Sequence, residues 1–152
     1  MPHDVSVHND IVEFVRLGQK VSLNFTVSLP NSATFHAVMA KAQGCNNFSP
    51  QRVADTIGAL VDDAMLVEFG AEGSPVLYIG VPFFEQQRIR TSATTTNNRL
   101  SDVDRQAYAQ RVIDWARRLR ADEITVQQHP ATPHPIVGKP GDQPYRIRIW
   151  WD

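Results

Sequence analysis

The chain has 152 residues, of which 42% are hydrophobic and 20% charged, and its net charge at pH 7 is −1. This length and composition predict one packed domain and exclude a disordered chain. The first residues lack the basic and apolar segments of a secretory leader, and no apolar stretch approaches the ~20 residues needed to cross a bilayer. A single cysteine excludes an intrachain disulfide, so we expect a cytoplasmic protein.

Charge is divided unevenly between the two halves of the chain. Residues 1–80 carry four basic and eight acidic side chains, for a net charge of −4, whereas residues 81–152 carry eleven and eight, for +3. Twelve of the fifteen basic residues are arginine, which suits planar, bidentate recognition of phosphate or carboxylate. Genome base composition explains the same excess, so the arginine content does not assign a partner by itself.

The first half of the chain alternates between strand-like and helix-like patterns. Residues 10–17 (DIVEFVRL) and 20–30 (KVSLNFTVSLP) predict two strands joined by a turn at Gly18 and Gln19. A helix follows from an Asn31 or Ser32 cap to about residue 43. A second helix is predicted from a Ser49 cap to about residue 64, with proline at its favoured first position.

The second half continues the alternation. Residues 65–69 and 75–84 predict a hairpin around GAEGS, and TSATTTNN within the polar segment 85–100 predicts a surface loop. A helix over 102–120, a strand over 123–128, a proline-rich connection and a last strand over 145–152 follow. The order β-β-α-α-β-β-α-β-β predicts an α+β domain: one largely antiparallel sheet of five to six strands, with two to three helices packed on one face.

The last strand, YRIRIWWD, is the first candidate site. Its alternation places Arg146, Arg148 and Trp150 on one face, opposite an aliphatic face with Ile147 and Ile149. The segment QRIR places Arg88 and Arg90 together in the same way. Arginines that hold phosphates beside an indole that stacks on a base are used by sheets that bind single-stranded nucleic acid. The same pattern is also typical of a polar sheet face that meets water or the acidic half of the chain.

Two adjacent acids form the second candidate site. Asp62 and Asp63 lie near the predicted end of a helix, where negative charge opposes the macrodipole. They could pair with an arginine or join Asp55, Glu68 and Glu72 in an acidic contact surface. Neighbouring helical residues diverge in direction, and no histidine stands at ligand spacing, so we predict no metal site there.

Catalytic patterns are weak. His129 and His134 flank PATP in the proline-rich connection and could supply acid and base for RNA cleavage, although no fixed spacing supports this. Cys45 follows a helix and is interpreted as a small buried filler. The sequence has no phosphate-binding glycine-rich loop, no zinc pattern and no serine in a nucleophile elbow, so no cofactor is predicted.

Residues 35–80 resemble a helix-turn-helix followed by a two-stranded wing. The resemblance covers 46 of 152 residues and implies that the helix from Pro50 enters the major groove of DNA, presenting Gln51, Arg52, Asp55 and Thr56. The wing, however, has Glu68 and Glu72 and no basic residue, which would repel phosphates. The segment in front is a predicted strand pair, so we do not assign the chain to that family.

Three classes of function follow. The first is a non-enzymatic protein-binding module of the inhibitor, immunity or assembly-adaptor type, which uses the Arg/Trp sheet face or an acidic face. The second is a nucleic-acid-binding protein that uses Arg88, Arg90, Arg146, Arg148 and Trp150. The third is a small metal-independent ribonuclease that uses His129 and His134. Since no catalytic constellation is found and the pI is near 6.5, we favour the first class, with another protein as partner and no membrane.

Overall fold

A computed structural model describes residues 2–58, 67–82, 100–128 and 144–152. The helices are α1 (Pro2–Lys20), α2 (Ser32–Lys41), α3 (Pro50–Ile57) and α4 (Asp102–Arg118). The strands are β1 (Phe25–Leu29), β2 (Val67–Ala71), β3 (Pro75–Gly80), β4 (Glu123–Gln128) and β5 (Pro144–Trp150).

The strands form one antiparallel sheet in the order β1-β2-β3-β5-β4. The last strand in the sequence is therefore inserted between β3 and β4, and β1 and β4 lie at the two edges. The predicted α+β class with an antiparallel sheet is confirmed. The described residues contain four helices, one more than the upper number predicted.

The additional helix is α1, and the predicted strand over residues 10–17 is wrong. Its apolar residues also fit a helical period, because Ile11 and Val15 are one turn apart and Val12 lies beside them. Val15 is fully buried and the other two pack against the same core. Glu13 and Arg16, three residues apart, form a hydrogen-bonded ion pair on the opposite side. Only the second half of the predicted second strand, β1, is a strand.

The other helices begin where the cap residues predicted. The side chains of Asn31, Ser49 and Ser101 each accept a hydrogen bond from the backbone N–H three residues on. The end of α3 differs from the prediction: it ends at Ile57, and residues 59–66, to which the predicted helix extended, lie outside the described residues.

One hydrophobic core joins the helices to one face of the sheet. The central strands contribute Phe69, Leu77, Ile147 and Ile149, all fully buried. The helices contribute the following buried side chains: Val15, Phe35, Val38, Met39, Val53, Ile57, Tyr108, Val112 and Trp115. The opposite face of the sheet carries no helix among the described residues. No helix in this part of the chain has the length and apolar character needed to cross a membrane.

The N-terminal helix and β1 approach their neighbours closely at two glycines. A Cβ on Gly70 would overlap the carbonyl oxygen of Phe25, and a Cβ on Gly18 would overlap the Phe25 ring. Glycine at both positions therefore allows β1 to approach β2 and α1 closely.

Candidate functional site

The predicted Arg/Trp strand presents its cationic side away from the helices. Ile147 and Ile149 are fully buried in the core, so Arg146, Arg148 and Trp150 point to the opposite face of the sheet. We call this the outer sheet face. The register adds Glu68 and Tyr78 from β2 and β3, and Glu123 and Gln127 from β4.

Glu72, in the turn between β2 and β3, accepts hydrogen bonds from three side chains of this face. Its carboxylate accepts hydrogen bonds from the Tyr78 hydroxyl (2.9 and 3.0 Å) and from Arg148 Nε (2.9 Å). Its carbonyl oxygen accepts one from Trp150 Nε1 at 2.9 Å. The turn is set by Gly73, whose φ of 76° suits glycine and whose N–H donates to the Asn24 side chain. The cluster therefore fixes the side chains of Arg148 and Trp150.

Among the described residues, three neighbours on the same face hold Arg146. Its Nη1 donates to Glu68 at 3.1 Å, its Nε donates to Gln127, and its guanidinium lies 4.1 Å from the centre of the Tyr78 ring. The side chains of Arg146 and Arg148 are 31% and 20% exposed. Both arginines are thus half-buried in internal ion pairs.

The electrostatics of the outer sheet face follow from these pairs. The charged side chains on the described part of this face are two arginines and three glutamates (Glu68, Glu72 and Glu123), so that part is not a cationic patch. Burial alone would lower the pKa of Arg148, but its hydrogen bonds to Glu72 and Tyr78 and the Glu72 charge raise it above its usual value. Burial raises the pKa of Tyr78, and the hydrogen bond to Glu72 raises it further.

Several predicted site residues lie outside the described residues: Arg88, Arg90, Asp62, Asp63, His129 and His134. The structure therefore tests neither the role proposed for Arg88 and Arg90 in nucleic-acid binding nor the ribonuclease hypothesis. The acidic surface can be judged in part. Asp55 accepts from Gln51 in the helix layer, whereas Glu68 and Glu72 lie on the outer sheet face. These three acids do not form one surface.

The major-groove interpretation of α3 is not supported by its packing. Arg52 Nη2 donates to the carbonyl of Arg118, and Thr56 accepts from Trp115 Nε1, so both residues are engaged with α4. The strands that would form the wing, β2 and β3, are inner strands of the sheet. These contacts place α4 against the residues that the resemblance would present to DNA.

A second surface, which the sequence interpretation missed, runs along α1. Phe14, Leu17 and Val21 are 53%, 50% and 57% exposed and lie at helical spacing. The signal was present in the sequence, but a strand pattern assigns these residues to alternate faces of a hairpin. On a helix with 3.6 residues per turn, the three residues share one side, which is separate from the side on which Val15 packs against the core.

The apolar stripe lies beside the free edge of β1. Phe14 contacts Phe25, the first residue of β1, with the ring centres 5.5 Å apart. Val15, about 100° round the helix from Phe14, points into the core, whereas Leu17 lies about 60° round in the other direction. The stripe therefore lies on the side of α1 that is turned away from the core, and Phe14 connects it to β1. We call Phe14, Leu17, Val21 and the outer edge of β1 the α1–β1 surface.

The two edges of the sheet differ in their protection. On β4, the charged Glu123 and a register shift at Gln127 and Gln128 are features that discourage pairing with another strand. On β1, the sequence FTVSL has no charge, no proline and no register irregularity. Thr26 and Ser28 are exposed, and no described strand pairs with the outer side of β1. Of these two edges, β1 has fewer features that discourage an added strand, as far as the described residues show.

Within the described part of the chain, Cys45 is a further reactive side chain. Burial raises the pKa of the Cys45 thiol, and Asp152 and Asp122 raise it further, which disfavours the nucleophilic thiolate. Cys45 lines a cavity of about 280 Å³ together with Gln19, Gln43 and Pro75. Within the described ranges, no group of three or more His, Cys, Asp or Glu side chains is placed to hold a metal ion.

Comparison of the chain with protein-family models, with curated protein sequences and with solved structures finds no match.

Proposed function

We propose that this chain is a non-enzymatic protein-binding module and that the α1–β1 surface is its principal contact site. The observation that carries the proposal is the exposed stripe of Phe14, Leu17 and Val21 beside an unprotected sheet edge. Exposed apolar patches on a protein surface often mark a site of contact with a partner.

The α1–β1 surface consists of a strand edge and an apolar helix stripe, and together these two parts indicate the class of partner. An edge strand offers unpaired backbone N–H and C=O groups, which an extended segment of another protein can pair with. β1 has only five residues, so such a segment gains few backbone hydrogen bonds. The adjacent stripe on α1 supplies apolar contact for every second side chain of the added strand. We therefore expect an extended, alternately apolar segment of a partner protein.

The test compares two surface changes of the same chemistry. Leu17→Glu/Val21→Glu places charge in the stripe, and Val103→Glu is the control because Val103 is 77% exposed at the start of α4. Immobilised parent and Val103→Glu proteins are expected to retain the same stoichiometric protein from native lysate. Leu17→Glu/Val21→Glu is expected to lose it, because a carboxylate in an apolar contact must be desolvated.

Two results would contradict this assignment. Equal retention by all three proteins would place the contact elsewhere. A homodimer, seen by light scattering in the parent and absent in Leu17→Glu/Val21→Glu, would assign the surface to a second copy of the chain instead of a foreign partner. All the substituted residues are exposed, so thermal melts are expected to stay close to that of the parent.

We propose the outer sheet face as a second contact site for a partner protein. Its support is the partly exposed Trp150 and the two fixed guanidiniums, since tryptophan and arginine are enriched among residues that dominate binding energy. The nucleic-acid alternative has less support. Glu68 and Glu72 neutralise Arg146 and Arg148 at hydrogen-bond distance, and free phosphate-binding cations are what that function requires.

A further inference from the structure

Helices α3 and α4 form a groove that the proposed function does not use. The Trp115 indole donates to Thr56 Oγ1 at 2.7 Å, and Arg52 Nη2 donates to the Arg118 carbonyl at 3.3 Å. These two contacts hold the helices as the walls of a cavity of about 530 Å³. Sites for small molecules commonly have volumes of about 300–1,000 Å³. We call this cavity the α3–α4 groove.

Three arginines line the groove: Arg52 from α3 and Arg111 and Arg118 from α4. All three are exposed, and none forms an ion pair within the described part of the chain. Arg52 uses one donor on the Arg118 carbonyl, and Arg111 lies 5.5 Å from the centre of the Tyr108 ring. Most of the guanidinium N–H donors therefore remain available to a ligand.

Within the described residues, the acids of the groove form no ion pair with these arginines. Asp114 lies at i+3 from Arg111 and at i−4 from Arg118, spacings at which helical ion pairs commonly form. Its carboxylate instead accepts from Gln110 at 2.9 Å, and that of Asp55 accepts from Gln51 at 2.8 Å. The groove keeps three cations against two anions, in contrast to the outer sheet face, where carboxylates hold both arginines.

The spacing of the cations indicates the form of the ligand. Arg111 and Arg118 are seven residues apart on α4, which places their backbones about 10 Å apart along one side of the helix. Arg52 joins Arg118 at the C-terminal end of α4 through its contact with the carbonyl. The groove thus has a cationic group at each end, with Trp115 and Thr56 between them.

We propose that the α3–α4 groove binds a small polyanion that carries at least two phosphate or carboxylate groups. The planar guanidinium forms paired, charge-assisted hydrogen bonds with either group, so both belong to the same recognition chemistry. Asp55 and Asp114 remain as acceptors for hydroxyl or amine groups of such a ligand. This site is separate from the α1–β1 surface, so the proposal does not depend on whether a protein binds to that surface.

The test uses the indole N–H of Trp115 as a reporter, because it is bonded to Thr56 in the wall of the groove. The ¹⁵N-labelled full chain is titrated with pyrophosphate in one arm and citrate in the other, with sodium chloride holding ionic strength constant. We expect a saturable shift of the assigned Trp115 indole resonance. The anion that saturates it at the lower concentration distinguishes a phosphate ligand from a carboxylate ligand.

Arginine substitutions distinguish specific binding in the groove from non-specific attraction of anions to the protein. Arg111→Gln/Arg118→Gln is expected to weaken binding at least tenfold, whereas Arg117→Gln, an exposed arginine on the same helix outside the groove, is expected to bind as the parent does. The single variants Arg111→Gln and Arg118→Gln are measured too, so that the result does not depend on the double variant folding. Linear shifts without saturation, or equal affinities in Arg111→Gln, Arg118→Gln and Arg117→Gln, would overturn the proposal.

Discussion

At the scale of single residues, Glu72 and Tyr78 show how a side chain acquires properties from contacts distant in sequence. Glu72 follows β2, yet it accepts from Tyr78 on β3 and from Arg148 on β5. The sequence predicted correctly that Arg148 shares a face with Trp150, because alternation in a strand is a local property. It could not predict that Glu72 meets Arg148, since 76 residues separate them.

The contacts of Tyr78 predict a pH dependence of stability. Burial and the hydrogen bond to Glu72 raise the pKa of Tyr78 in the folded protein, while the unfolded value is about 10. The folded state therefore holds the phenol proton more tightly. This stabilisation is complete below about pH 10 and is lost as pH rises through the folded pKa.

Tyr78→Phe is expected to lower the free energy of unfolding by about 1.5 kcal/mol at neutral pH, since a hydrogen bond to a charged group is lost. The gap between Tyr78→Phe and the parent should narrow as pH rises above about 10. Denaturant unfolding followed by circular dichroism measures this gap at each pH. A gap that stays constant up to pH 11, or widens, would show that the phenol proton is not held in this way.

At the scale of elements, the sequence predicted correctly the features that depend on near neighbours and failed where tertiary packing decides. The caps at Asn31, Ser49 and Ser101 were correct because a cap depends on residues within one turn. The strand predicted over 10–17 was wrong because its short apolar run fits both a period of 2 and a period of 3.6. Packing of Val15 against the core decided between them, and this packing also created the exposed stripe.

The end of α4 offers a test of local backbone strain. Ala121 N–H bonds to the Ala116 carbonyl and Arg120 N–H to the Arg117 carbonyl, which is the Schellman pattern. Arg120, at a φ of 61°, occupies the position that glycine favours. The left-handed conformation costs an L-residue roughly 1–2 kcal/mol, and glycine avoids this cost. Glycine is also more flexible in the unfolded state, which reduces the gain in folding free energy by about 0.5–1 kcal/mol.

Arg120→Gly is therefore expected to raise the free energy of unfolding by up to about 1 kcal/mol. The control is Arg117→Gly, in the last helical turn, which should lower it by about 1 kcal/mol because glycine disfavours a helix interior. Denaturant melts of the three proteins give both differences. Destabilisation by Arg120→Gly similar to that by Arg117→Gly would refute the strained-cap interpretation.

At the scale of the whole molecule, the uneven charge of the two halves is partly neutralised inside the fold. Glu68 and Glu72 come from the acidic half, and Arg146 and Arg148 from the basic half. Insertion of β5 next to β3 brings these groups to one face. The charge difference read from the sequence therefore does not translate directly into two oppositely charged surfaces.

Heparin affinity tests this neutralisation and, with it, the nucleic-acid alternative. Arg146→Ala/Arg148→Ala is expected to lower the salt concentration of elution only slightly, because it removes two guanidiniums that are already paired and leaves Glu68 and Glu72 without their partners. Glu68→Gln/Glu72→Gln is expected to elute at higher salt, because it removes the carboxylates that hold them. Strong retention of the parent that disappears in Arg146→Ala/Arg148→Ala would favour nucleic-acid binding instead.

The sequence by itself determined the α+β class, the helix caps, the strand over 123–128 and the alternation that separates Arg146 and Arg148 from Ile147 and Ile149. These features depend on neighbours within a few residues, where backbone geometry and side-chain period act directly. Tertiary structure alone decided the helical state of residues 10–17, the ion pairs of the outer sheet face and the meeting of Arg52 with Arg111 and Arg118. Each of these depends on which distant segments pack together, since burial of apolar surface in the shared core outweighs the weak preferences of short apolar runs.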